Sequence, residues 1–157
     1  MATFQDFLQR KASEHHHAER REKREEWISA VRRLLDDIRS WLAESDPDRL
    51  LDVISYDVER WEPGLGSYTI QALTIGVGDT AVKVVPVGRD AVGLVSAQGD
   101  AGARAEGRVD ITDGVRKYIL YRTFRDGQQQ WHVLNADFHP VPLTRAALEN
   151  VLQDLLS

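Results

Sequence analysis

The chain contains no cysteine among its 157 residues, which excludes a disulfide framework, a thiolate nucleophile and a thiolate metal site. It also lacks any apolar run approaching the ~18–20 residues that a membrane-spanning helix needs. The opening Met1-Ala2-Thr3-Phe4-Gln5-Asp6 has none of the basic-then-apolar character of a secretory signal. There is one methionine, and the four lysines are outnumbered by sixteen arginines, a bias that points to a GC-rich bacterial genome. No internal repeat at a solenoid period is present. These absences leave a cytoplasmic protein as the expectation. A chain that is 42% hydrophobic and 29% charged can bury a core and is not disordered as a whole.

Charge is unevenly divided. Residues 1–44 hold nine basic and nine acidic side chains, so the net charge of −5 resides in residues 45–157. An acidic body repels polyanions at long range and is a poor starting point for general nucleic-acid binding, though a local basic patch is compatible with it.

The first third reads as helix. Thr3 with Asp6 three residues on forms an acidic capping box, and Phe4, Phe7, Leu8 and Ala12 make a small apolar patch on the first turns. From Ser13 to Glu26 only Ala18 is apolar. The apolar period returns at Trp27, Val31, Leu34, Ile38 and Trp41, a coiled-coil-like seam widened by Ile28, Leu35 and Leu42. Asp46-Pro47 ends it, because proline disfavours helical geometry in the residue before it. Residues 47–61 fit either helix or strand, and one helical turn followed by a strand from Val53 fits best.

The middle reads as an antiparallel meander of five to six strands. Pro63–Gly66 and Gly78-Asp79 are turns that bracket a strand over Ser67–Val77. A second strand, Thr80–Val87, is interrupted at Pro86, which suggests an edge or a bulge. A short strand is expected over Ala91–Ala97 and a small-residue loop over Gln98–Gly107, with Arg108–Ile111 leading back into the sheet. Asp126-Gly127 between two alternating runs predicts a type I′ hairpin, with Arg122 opposite Trp131, Leu120 opposite Val133, Tyr121 opposite His132 and Ile119 opposite Leu134. Apolar pairs on both faces call for cover on both sides, for which the helices at the two chain ends are the natural candidates. Thr144 starts the last helix, stapled by Leu143 and Leu148, with Leu148, Val151, Leu152, Leu155 and Leu156 on one face. The expected fold is therefore α+β: a long N-terminal helix, an antiparallel sheet, and a C-terminal helix packed on it.

Three constellations bear on function. The helix face His15, Glu19, Glu22, Glu26 could hold a divalent ion if a second helix completed the ligand set, whereas the consecutive His15, His16 and His17 point ~100° apart and cannot share one ion. A solvated charged face is the simpler reading. On the predicted hairpin, Arg116, Lys117, Arg122 and Arg125 interleave with Tyr118, Tyr121, Phe124 and Trp131, a set that could stack bases and hold phosphates. Equally, Arg122 could lie over Trp131 as a structural cation–π pair. The third constellation is the polar stalk itself: residues 13–26 cannot fold back on a core, so residues 1–26 form a projecting arm whose Phe4, Phe7 and Leu8 lie about 30 Å from the Trp27 seam, with residues 27–157 as one globular domain.

Catalytic sets are weakly represented. Gly64-Leu65-Gly66-Ser67 and Gly76-Val77-Gly78-Asp79 do not open helices and lack the lysine of a phosphate-binding loop, and no nucleophile elbow occurs. Glu106, Asp110, Asp113 and Lys117 lack the order of a metal-dependent nuclease. The sequence thus favours a non-enzymatic protein–protein interaction or assembly subunit of a bacterial complex, self-associating or docking on a protein partner through Phe4, Phe7, Leu8, Trp27 and Trp41, with no cofactor. The alternatives are a nucleic-acid-associated factor and a metal-dependent enzyme.

Overall fold

A computed structural model describes residues 2–90, 104–134 and 139–157. The chain runs as helix α1 (Phe4–Ser45), strands β1 (Asp52–Glu62), β2 (Gly66–Val77), β3 (Thr80–Gly88), β4 (Arg104–Thr112), β5 (Lys117–Arg125), β6 (Gln128–Leu134) and β7 (Pro140–Pro142), and helix α2 (Arg145–Leu156). The strands form one antiparallel sheet in sequence order. The expected α+β layout is present, with seven strands among the described residues where five or six were expected. The unanticipated β7 is three residues long with proline at both ends. Proline cannot donate to a ladder and is tolerated at an edge, the position β7 occupies beside β6.

Helix α1 is continuous from arm to body. The Thr3 hydroxyl accepts from the Asp6 amide and the Asp6 carboxylate accepts from the Thr3 amide, completing the capping box. At the other end the Asp46 carboxylate accepts from the amides of Leu50 and Leu51 at 2.8 Å each. This folds residues 46–51 into a capped turn, and the strand starts at Asp52. Helix α2 begins at Thr144, whose hydroxyl accepts from the Ala147 amide.

The core lies between the two helices and one face of the sheet. Trp27, Val31, Leu34, Leu35, Ile38 and Leu42 of α1 and Leu148, Val151, Leu152 and Leu155 of α2 pack with Leu73, Ile75, Val82, Val84, Val109, Ile111, Leu120 and Val133. Each such side chain contributes about 1.5–3 kcal/mol by leaving water. Both helices thus cover the same side, correcting the expectation that the two ends of the chain would cover opposite faces. On the reverse face Ala105, Ile119, Tyr121 and Leu134 form a separate apolar cluster, with the rings of Tyr121 and His132 stacked at 5.2 Å.

The predicted hairpin has the expected register at Leu120, Tyr121 and Arg122. Asp126 and Gly127 take φ of 52° and 76°, the left-handed pair that a type I′ turn requires. Pro86 lies inside the sheet at a register shift between Pro86 and Gly88, so its position is a bulge and not an edge. The expected strand over Ala91–Ala97 falls outside the described residues, as does most of the expected loop over Gln98–Gly107. The end of that segment is strand: Arg104–Gly107 belongs to β4, with a bulge between Ala105 and Arg108.

The ladder between β2 and β3 ends at Leu73–Val84, while β1 and β2 remain paired to Glu62–Gly66. Beyond that point the buried positions of β2 change parity, from Leu73 and Ile75 to Ala72, Ile70 and Tyr68. A two-stranded ribbon twists more than a wide sheet, and this twist brings the far end of the β1–β2 hairpin round to the base of the arm.

Candidate functional site

Every residue from Ala2 to Lys23 is exposed. At the tip, Phe4 and Phe7 stack with ring centroids 6.2 Å apart, and Arg10 and Lys11 lie over the Phe7 ring at 5.8 and 6.0 Å. Phe4 is 74% exposed, Leu8 49% and Phe7 40%, an apolar patch of a kind that a free helix end does not need for its own stability. The backbone and side-chain hydrogen bonds of Thr3 hold the Asp6 carboxyl below its ordinary pKa. The tip therefore begins as an ordered helix end with a negative charge where the helix dipole favours one. Further along, Lys11 pairs with Glu14 at 3.8 Å and His15 with Glu19 at 2.9 Å.

The arm meets the body at Arg24, whose guanidinium donates to the Leu65 carbonyl at the end of the β1–β2 hairpin. One turn on, Trp27 is wholly buried and its ring lies against Gly107. A Cβ at Gly107 would fall 2.3 Å from Trp27 Cζ3, and Gly107 has φ of +143°. The bulge in β4 thus removes a side chain and opens the backbone so that the indole can enter.

Beside the indole sits Arg122, which has no exposed surface. Its guanidinium donates to both Glu26 carboxylate oxygens at 2.6 and 2.9 Å, to the Glu106 carbonyl at 2.9 Å and to the Gln129 side chain at 3.2 Å. It is sandwiched between the rings of Trp27 and Phe124, at 5.1 and 4.9 Å. Arg89 adds a second guanidinium, 3.9 Å from Glu26 and 3.6 Å from the Glu106 carboxylate. Two arginines and two glutamates thus bolt the root of the arm to β3, β4 and β5.

A second polar knot fixes the hairpin end to the same corner. The buried Glu62 carboxylate accepts from the Tyr68 hydroxyl at 2.5 Å and from the amides of Arg89 and Asp90 at 3.2 and 3.0 Å. Gly88 makes room for it, since a Cβ there would lie 2.8 Å from Glu62 Oε1. Burial, reinforced by the carboxylate of Glu62, pushes the Tyr68 hydroxyl well above the ordinary phenol pKa.

The sequence-derived candidates separate accordingly. Phe4, Phe7 and Leu8 stand together in solvent. Trp27 is buried within its own chain and presents nothing to a partner, because its ring fills the β4 bulge. Trp41 is half-buried against the same core. Of the hairpin set, Arg122 faces inward and stacks on Trp27 and Phe124, where Trp131 was the expected partner; Trp131 packs on Trp27 instead, with ring centroids 6.2 Å apart. Arg116 binds Asp113 and Asp154, and Tyr118 donates to Asp154 at 2.8 Å, tying β5 to α2; that hydrogen bond and burial raise the Tyr118 pKa. Lys117 and Arg125 are exposed at opposite ends of β5, so the basic residues do not form one surface. His15 and Glu19 meet, but no group of three or more acidic or histidine side chains is placed to hold a metal ion among the described residues, so Glu22 does not complete a site. No described helix is long and apolar enough to cross a membrane.

One feature had no signature in the sequence. A cleft of about 530 Å3 opens beside the C-terminal half of α1, walled by Arg39, Leu42, Ala43, Asp46, Leu51 and Val53. It arises because the Asp46 turn lifts the chain off the helix before β1 begins.

A scan against protein-family models finds no match, and comparisons with curated proteins and with solved structures find none either.

Proposed function

We propose that the protein is a non-enzymatic interaction or assembly subunit that docks through its N-terminal helix. The observation that carries this reading is the ordered, wholly exposed helical arm ending in Phe4, Phe7 and Leu8. A helix polar all round is a poor stand-alone structure unless it bridges between partners, and the bolt at Glu26 and Arg122 gives this one a rigid root. The buried ionisable groups support the same reading, since Glu62, Arg122 and Tyr68, with the half-exposed Glu26, are spent on fixing the arm and the hairpin. With this reading we assign the protein to the cytoplasm.

The test is native mass spectrometry of the full chain purified from its own host at low salt, beside a variant carrying Phe4→Ala, Phe7→Ala and Leu8→Ala. A stoichiometric protein assembly lost in the variant, with the fold intact, is the expected result. An assembly equally populated in both would overturn the reading.

A further inference from the structure

The arm carries a charge pattern that specifies its partner. Arg10, Arg21 and Arg32 recur every eleven residues, and so do Glu14, Glu25 and Asp36. Eleven residues is close to a whole number of helical turns, with a drift of only ~20°. The six side chains therefore lie within ~80° of one another along α1, in one file of alternating sign. All six are exposed. Among the described residues, Arg10, Arg21, Glu25, Arg32 and Asp36 have no opposite charge within ion-pair distance, and Glu14 reaches only Lys11 at 3.8 Å.

This file is complementary to itself read backwards. When two copies of α1 lie antiparallel, Arg10 opposes Asp36, Glu14 opposes Arg32 and Arg21 opposes Glu25, and two-fold symmetry repeats each pair. The same register brings Phe7 level with Arg39, both close to the centre of the charged file. Arg39 and Leu42 are walls of the cleft beside α1. Arg39, seven residues past Arg32, and Ala43, eleven past it, lie on the charged side of the helix, and so does Phe7. Charge register and cleft position, two independent features, therefore select one alignment.

We propose that the occupant of the arm is a second copy of this chain. The two α1 helices pair antiparallel along the Arg10–Asp36 file, and Phe7 of each meets the other's cleft at Arg39. This rests on the docking reading above and adds the partner and the register.

Sedimentation of the full chain at low and high salt, together with cysteine cross-linking, tests it. The wild-type chain should dimerise, and more weakly at high salt because exposed pairs are screened. Glu14→Arg/Glu25→Arg/Asp36→Arg and Arg10→Glu/Arg21→Glu/Arg32→Glu should each dimerise about 100-fold more weakly, and an equimolar mixture of the two should form a 1:1 heterodimer, which also shows that both variants fold. Because the chain has no cysteine of its own, Arg10→Cys mixed with Asp36→Cys should give a disulfide-linked dimer under mild oxidation, while neither alone should. A wild-type chain monomeric at about 100 µM, a dimer insensitive to the charge reversals, or cross-linking of Arg10→Cys with itself would each overturn the pairing. A monomeric wild type whose different protein partner is lost on Phe4→Ala/Phe7→Ala would overturn the self-pairing alone and leave the docking reading standing.

Discussion

Replacing Glu26 with alanine removes the carboxylate that neutralises Arg122, and the consequence can be worked from the geometry. The Arg122 side chain is fully buried, and after the change its guanidinium keeps only the Glu106 carbonyl and the Gln129 side chain as acceptors. Arg89 loses a counter-charge at the same time. Breaking one side of a buried ion pair costs about 3–5 kcal/mol. Glu26 itself is 42% exposed, so part of the pair's strength is already screened, and we expect about 2–3 kcal/mol. For a domain of this size that lowers Tm by about 5–10 °C and shifts the urea midpoint with an unchanged m-value. Adding Arg122→Met should recover about 1 kcal/mol of the loss, because an apolar chain between Trp27 and Phe124 carries no stranded charge. Urea unfolding of the two variants is the assay. A loss below about 0.5 kcal/mol for Glu26→Ala, or a double variant weaker than the single one, would refute the account of the bolt.

Gly107→Ala places a methyl group 2.3 Å from the Trp27 ring at a backbone angle that L-residues avoid, so it should cost at least about 3 kcal/mol, read as loss of soluble protein or of the cooperative melt. The raised pKa of Tyr68 means that the neutral phenol is favoured by the fold. Its contribution is therefore complete below the unfolded-state value of 10.0 and is lost as pH rises above it; Tyr68→Phe should show a smaller fall in urea midpoint between pH 9 and 11 than wild type. Phe4→Ala/Phe7→Ala should leave Tm within about 1 °C of wild type when both are melted at concentrations too low to associate, since both rings are exposed in the single chain, while weakening association in the sedimentation experiment.

Local chemistry determined much of this protein. The capping box at Thr3, the seam from Trp27 to Leu42, the stop at Asp46-Pro47, the Asp126-Gly127 turn with its register and the Thr144 start all follow from contacts within a few residues or from the periods of helix and strand. The exposed Phe4–Leu8 end was legible for the same reason, because nothing nearby could bury it. What tertiary structure alone decided lies in contacts between residues distant in sequence. Arg122 alternates with aromatics on a strand, and the same pattern serves a stacking surface or a buried pair; Glu26, 96 residues away, determines which. Trp27 looks like an anchor for a partner until the β4 bulge at Gly107 receives it. Beta7 is held by its neighbour and not by its own residues, two of three being proline. The face on which α2 packs, and the cleft that opens beside α1, depend on how a twisted sheet carries its strands past a helix, a long-range geometry that a local pattern does not encode.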